Sequence, residues 1–313
     1  MLETAMSMVR RSEKLVYISS GSSLDLNNGR DRQRPHRHNN LSCVRDRGTR
    51  QERFMSSLQP DLVLTEAHRH VLIVTINRPG ARNSIDQATT EAIERAMDRL
   101  DDTEELFAGV ITGAGGTFCA GADLKSVTRG EKRVGTTRGV FGLLNRAPRK
   151  PLIAAVEGFA VGGGFELCLA CDLIVAAETA RFGLPEVRLN LVATGGALFR
   201  LPRRMPYHLA MELALTAEFR DAAFFHRWGV VNRVVPSGQA LNAALELAES
   251  LEANGPTAVA ATKQIICSSV SWSSEEEAWR AQERIAATVD SKDSAEGLAA
   301  FAEKRKPVWR RRR

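Results

Sequence analysis

Two glutamates, Glu166 and Glu186, stand in segments whose neighbours are apolar, one after a triple glycine and one after a proline. Glu166 follows Val161-Gly162-Gly163-Gly164-Phe165, a triple glycine flanked on both sides by apolar sequence, where a flexible linker would be polar. Glycine suits an unusual φ or a close contact here, and the pattern predicts a helix opening at Gly164 or Phe165. The first turn of a helix carries unpaired N–H groups and the positive end of the dipole, a ready site for a developing oxyanion, and Glu166 falls in that turn. Glu186 lies in Arg181-Phe182-Gly183-Leu184-Pro185-Glu186-Val187, an apolar, proline-constrained turn. Taken alone, that segment fits a solvated loop glutamate equally well. Two carboxylates beside one oxyanion site would suit general acid/base work, because partial desolvation raises a carboxyl pKa toward working pH.

A third stretch, Thr112-Gly113-Ala114-Gly115-Gly116-Thr117-Phe118-Cys119-Ala120-Gly121-Ala122-Asp123-Leu124-Lys125, could let backbone approach a ligand closely; alone, its glycines favour a tight turn. It has neither the GxxxxGK ending of a phosphate loop nor the GxGxxG spacing of a dinucleotide site. Cys168-Leu169-Ala170-Cys171 has CxxC spacing in apolar surroundings with no second Cys or His pair nearby in sequence, which reads as buried thiols packing a helix-to-strand turn. His68 and His70 read as polar residues of a hairpin turn. Trp272, Trp279 and Trp309 have no base-stacking motif around them and are expected to pack helices or a subunit interface. No metal site is expected.

The elements that must position these residues alternate between strand and helix. Leu62 to Leu64 and His70 to Ile76 read as two strands joined by a polar turn. Asp86 can cap a helix that buries Ala88, Ala92, Ile93, Ala96, Met97 and Leu100 and exposes Glu91, Glu94, Arg95, Asp98 and Arg99. Gly109 to Thr112, Leu152 to Val156 and Asp172 to Ala177 read as short buried strands, which argues for an α/β architecture. Residues 126–138 are polar with few apolar anchors and are expected to form a mobile surface loop. After a last strand at Val230 to Val235, helical periodicity runs over Ala240 to Glu252, Pro256 to Cys267, Ser274 to Val289 and Ser294 to Phe301. Asn254-Gly255-Pro256 stops one helix and starts the next.

The chain has 313 residues, 43% hydrophobic and 26% charged, enough for one large or two ordinary domains. Its formal charge of +6 resides at the ends: residues 1–54 hold eleven bases against six acids, and residues 304–313 hold seven bases and no acid. Residues 55–303 carry 25 bases against 31 acids, so the basic balance reports on tails rather than on a nucleic-acid face. The first 54 residues lack a sustained apolar period and read as disordered, or as an untranslated extension with Met55 as the natural start. The expected division is that basic extension, a core domain at 55–248, and a helical oligomerisation region with a basic tail at 249–313. Apolar runs such as Leu173 to Ala177 are far short of the roughly 18 to 20 residues of a bilayer span, so no membrane segment is expected. Five scattered cysteines without a secretory leader fit a reducing compartment, the cytoplasm in preference to the mitochondrial matrix.

Together these segments resemble the enoyl-CoA hydratase/isomerase, or crotonase, superfamily. Asn77-Arg78-Pro79-Gly80-Ala81-Arg82-Asn83, Gly113 to Lys125, Gly158 to Asp172, Phe182 to Glu186, Gly229-Val230-Val231-Asn232 and Phe301-Ala302-Glu303-Lys304-Arg305 recur in that family's order and spacing, over about residues 60 to 306. The resemblance implies a spiral of β-β-α turns followed by a helical trimerisation region, assembled as trimers or dimers of trimers. It implies acyl-CoA thioester substrates, with the thioester oxygen between the backbone N–H groups of Ala122 and Gly163. It further implies that Glu166 holds and deprotonates the attacking water while Glu186 delivers a proton to the α-carbon. Asp123, Leu124 and Lys125, with Ala122 and Gly163, would line the coenzyme A moiety, and Phe301 and Lys304 would approach it.

Both glutamates being present favours hydration of a trans-2-enoyl-CoA with no cofactor beyond the coenzyme A of the substrate. The sequence departs from the family after Glu186, where Val192-Ala193-Thr194-Gly195-Gly196-Ala197-Leu198-Phe199 replaces a common Gly-Ala-Gly-Gly-Thr stretch; this segment is expected to shape the acyl pocket. A double-bond isomerase on the same fold is the first competitor. An RNA-binding protein using the Arg-rich tails is the second, and would show strongly salt-dependent binding.

Overall fold

The structure, a computed structural model, describes residues 61–131 and 135–309. The N-terminal extension expected to be disordered, and most of the tails on which RNA binding would depend, lie outside the described residues. Among the described residues there are nine strands: β1 Val63–His68, β2 Val71–Ile76, β3 Ala108–Gly113, β4 Leu152–Val156, β5 Phe159–Val161, β6 Leu173–Ala177, β7 Arg181–Gly183, β8 Arg220–Asp221 and β9 Arg233–Val235. Between and after them run α1 Gln87–Asp102, α2 Leu124–Thr128, α3 Gly163–Ala170, α4 Ala197–Arg200, α5 Tyr207–Thr216, α6 Ala222–Arg227, α7 Ala240–Glu252, α8 Pro256–Ser269, α9 Glu275–Ala286 and α10 Ser291–Ala302.

The large sheet has the order β1-β2-β3-β4-β6-β9, and a small sheet has the order β5-β7-β8. β1 and β2 form the antiparallel hairpin read from the alternation, with Arg69 at φ 53 in its turn, and every later pair in the large sheet is parallel. Parallel neighbours need a crossover, and the crossover segments build a second ladder beside the first. Ile85 bridges Ala122, Cys119 bridges Ala160, and β5 pairs with β7, so each successive turn of chain adds one strand to the large sheet and a short rung to the small one. This is the spiral of β-β-α turns.

Residue alternation explains why the central strands read as continuous apolar runs. On β4, Leu152, Ala154 and Val156 enter the main core while Ile153 and Ala155 face the other side. There Ala240, Ala244 and Ala248, at successive four-residue steps of α7, lie against Val71, Val110, Ile153 and Val175. Small side chains in that stripe let the helix approach the sheet. Asp86 caps α1 as expected, its carboxylate accepting from the Thr89 N–H at 2.9 Å.

Four expectations need correction, the first being the inner face of α1, which buries Thr89 and Thr90 and leaves Ala88 exposed because Asp86 draws the Thr89 N–H and hydroxyl inward as it caps the helix. The last strand begins at Arg233 rather than Val230, because Val230 and Val231 bury their side chains in the turn after α6. Helix α3 opens at Gly163, with Gly162 at φ 56 as its cap. The polar segment 126–138 is anchored at both described ends: α2 takes in 124–128 with Ser126 buried, and Arg138 is 3% exposed. Its guanidinium Nε and Nη2 lie 2.8 and 2.7 Å from Asp98 and Asp101 of α1, an acidic pair that no local pattern links to residue 138. The Asp101 side chain is only 6% exposed. Arg138→Ala would remove the shorter of the two ion pairs of Asp101, which also accepts from Arg149 N–H at 2.8 Å and lies 3.9 Å from Arg149 Nε, and a loss of about 1 to 3 kcal/mol in urea unfolding is expected; a loss near zero would show that the Arg149 contacts alone satisfy Asp101.

Candidate active site

The site starts from two backbone donors. Ile85 donates its N–H to Gly121 O at 2.8 Å and accepts from Asp123 N at 2.9 Å, the pattern of a parallel bridge. Those two bonds use the residues on either side of Ala122, so the Ala122 N–H points away from the bridge. Gly163 is the first residue of α3 and its N–H has no intrahelical acceptor. Among the described residues neither N–H has a hydrogen-bond acceptor. The two segments press together at Gly121, which has φ +85: a Cβ there would lie 2.9 Å from Gly163 N and 2.9 Å from Val161 O. Gly121 N–H itself is occupied by the buried Cys119 Sγ at 3.3 Å.

Each member of the triple glycine is small for a different neighbour. A Cβ on Gly162 would lie 3.0 Å from Glu186 Oε1, one on Gly163 would enter the Phe141 ring, and one on Gly164 would meet Cys119 O at 2.1 Å. Phe141 therefore roofs a donor, from a left-handed backbone (φ 55) between Gly139 and Gly142. No feature of the local sequence marked it.

Glu166 sits in the first turn of α3 and is 4% exposed. Its Oε1 accepts from Ala197 N at 3.2 Å, and Gly195 passes so close that a Cβ there would lie 2.4 Å from Oε2. Burial pushes its carboxyl above the ordinary value, against the opposing pull of the Ala197 and Gly195 amides and the Arg200 charge. Glu186 lies in the 3-10 turn Pro185–Leu189. Burial also raises its carboxyl, and the nearby Glu166 charge adds to the rise. Glu186 Oε2 is enclosed and has no hydrogen-bond partner. The two carboxyls therefore differ in kind: the amides of the 195–197 turn and the Arg200 charge favour ionised Glu166, whereas Glu186 has its own backbone N–H to favour the ionised form, leaves Oε2 unpartnered and faces a second negative charge. Such unequal surroundings sort a pair into base and acid.

The remaining residues expected at the site divide. Asp123 turns inward: it caps α2, accepting from Lys125 and Ser126 N–H, and its Oδ2 lies 3.0 Å from Arg78. Arg78 and the capped amides outweigh burial and hold its carboxyl below the usual range. Arg78 also reaches Asp86 at 3.0 Å, tying the Ala122 segment to the cap of α1. Leu124 and Lys125 are exposed at the start of α2, beside Ala122. Phe301 is 86% exposed at the end of α10 and Lys304 is exposed just beyond it, so both stand on the surface of the single chain rather than in the enclosed glutamate site. Cys168 and Cys171 are buried free thiols. The 195–197 segment, expected to shape the acyl pocket, makes its hydrogen bond to Glu166.

Residues 66–312 match the family described as enoyl-CoA hydratase/isomerase. The chain belongs to that family. It is 52% identical to the crystal structure of enoyl-CoA hydratase EchA1 from Mycobacterium marinum, with a TM-score of 0.77 over 80% of this chain and 99% of that one. It is 42% identical to enoyl-CoA hydratase EchA19 of Mycobacterium tuberculosis, over 81% of this chain and 97% of the relative. It is also 42% identical to mevalonyl-coenzyme A hydratase sidH of Aspergillus fumigatus, over 77% and 92%. The matched region spans the paired donors, both glutamates and the C-terminal helices of this crotonase-superfamily member. Among the described residues no helix is long and apolar enough to cross a membrane.

Proposed function

We propose that this protein is an acyl-CoA hydratase that adds water across the double bond of a trans-2-enoyl-CoA to give the 3-hydroxyacyl-CoA. The observation that carries this reading is the placement of two unequal carboxyls beside two unpaired backbone N–H groups. The thioester oxygen accepts from the Ala122 and Gly163 N–H groups, which stabilise the enolate-like charge that develops as water adds. Each preorganised donor of this type contributes about 2.7 to 4 kcal/mol to the transition state.

Glu166, ionised, takes a proton from the water whose oxygen bonds to the β-carbon. The π-electron pair moves toward the thioester, and Glu186, protonated, gives its proton to the α-carbon. Transfer of the captured proton from Glu166 to Glu186 resets the pair. The reaction needs only the ester and water, and the coenzyme A belongs to the substrate. The apolar residues exposed on the C-terminal helices, Ile266, Trp279, Leu298 and Phe301, support association of this chain with copies of itself, read here as a homotrimer or dimer of trimers.

The test is to mix the protein with crotonyl-CoA, longer trans-2-enoyl-CoAs and branched or hydroxylated analogues, and to follow the conjugated-enoyl absorbance. Rapid loss on one of these esters is expected, and its rank order gives the acyl group. A folded protein that binds CoA esters and hydrates none of them would sink the assignment and point to an isomerase.

A further inference from the structure

Arg200, the last residue of α4, has no salt-bridge partner among the described residues, yet it is half-buried. Its two terminal nitrogens are both used on backbone: Nη1 donates to Gly195 O at 3.0 Å and Nη2 to Leu144 O at 2.6 Å. The first carbonyl belongs to the turn whose amides face Glu166. The second belongs to the segment that carries Phe141 over Gly163. Gly196, at φ +110, leaves room for the guanidinium to fold back, since a Cβ there would lie 2.2 Å from Nη1.

We propose that Arg200 is a positioning residue of the glutamate site: its planar fork clamps the Gly195 and Leu144 carbonyls, holding the amide donors on Glu166 and the roof of the Gly163 N–H as one unit. This rests on the hydratase reading above. A lysine could keep the charge but not the fixed two-pronged geometry. The charged groups around the pair are Glu186 on the Glu166 side and Arg204 on the Arg200 side; the buried Cys171 thiol, pushed well up, stays neutral. Arg200 charge favours ionised Glu166, so its removal moves Glu166 protonation to higher pH.

The experiment compares wild type, Arg200→Lys and Arg200→Met for kcat and KM on the best enoyl-CoA across pH. For Arg200→Met, kcat should fall about 10- to 100-fold, the scale of a small misplacement of a reacting group, with KM changed much less. The acid limb of its pH profile should move to higher pH. Arg200→Lys should return the limb to the wild-type position while recovering kcat only in part. In a Glu166→Gln background, where only the Gly163 half of the clamp still matters, Arg200→Met should lower the residual rate by less than it lowers the wild-type rate; an equal additional loss, or an unmoved acid limb, would overturn the proposal.

A readout independent of turnover separates this from the hydratase reading. The difference in pH-dependent melting between wild type and Glu166→Gln reports Glu166 ionisation, and in the pair carrying Arg200→Met it should move to higher pH. If wild type hydrates no enoyl-CoA but this shift is present, the hydratase reading fails and the clamp stands. If hydration is present and the shift is absent, the clamp fails. Should Arg200→Met fail to fold, Arg200→Lys serves in its place through the kcat against KM split, and an unchanged kcat would overturn the proposal.

Discussion

Glu186→Gln is expected to lose most of its hydratase activity and to gain stability at neutral pH. The loss follows from removing the proton donor to the α-carbon, a step for which a positioned acid or base is worth about 10² to 10⁴ in rate. The gain follows from the enclosed Oε2, which in the ionised form is a buried acceptor without a donor. The folded-state pKa of Glu186 is raised above the ordinary 4.5 by burial, with Glu166 charge adding to the effect. Relative to a group that never ionises, its contribution to stability is fully present below the ordinary carboxylate pKa and is lost as pH rises through the raised one. Wild type and Glu186→Gln should therefore melt together in acid and separate as pH increases, the variant melting higher. Activity has the complementary dependence: the acid limb reports protonation of Glu166 and the alkaline limb loss of the proton from Glu186, as values belonging to the coupled pair. Thermal melts from about pH 4 to pH 8, beside initial rates, check both halves. Unchanged hydration by Glu186→Gln would refute its role as the acid.

Gly121→Ala should lower kcat by about 10² to 10³, close to the effect of losing one oxyanion donor. The added methyl would stand 2.9 Å from both Gly163 N and Val161 O, contacts that a Cβ does not tolerate, so the Ala122 segment and the start of α3 must part. Backbone strain is a second effect of the same change, since φ is +85. Gly116→Ala separates the two. Gly116 is in the same loop at φ +73, but open space surrounds the position of its Cβ, so the substitution carries the strain without the crowding. Expected results are a modest loss of stability in both variants, about 1 kcal/mol for the conformation alone, and a large loss of kcat only in Gly121→Ala. Equal rates in the two variants would mean that donor spacing at Gly121 is unimportant.

Several parts of the molecule were written in local sequence because their physics is local. The β1–β2 hairpin follows from period-two alternation, the start of α1 from an aspartate that can reach the N–H of Thr89, and the end of α7 from Asn254-Gly255-Pro256. The triple glycine between apolar flanks announced a close backbone approach before a helix. Sequence alone also located the positive charge at the chain ends.

Tertiary structure decided what each group touches. Which glutamate is better suited to the ionised form depends on Gly195 and Ala197, about thirty residues beyond Glu166, and on an oxygen of Glu186 that nothing reaches. Asp123 faces Arg78 and the amides of α2, Arg138 is buried against α1, and Phe141 closes over Gly163 because distant segments meet there. Periodicity and turn chemistry report a residue's preference for a backbone conformation and a face. Desolvation and donor supply set the working state of a carboxyl, and both are created only when residues far apart in the chain are packed around it.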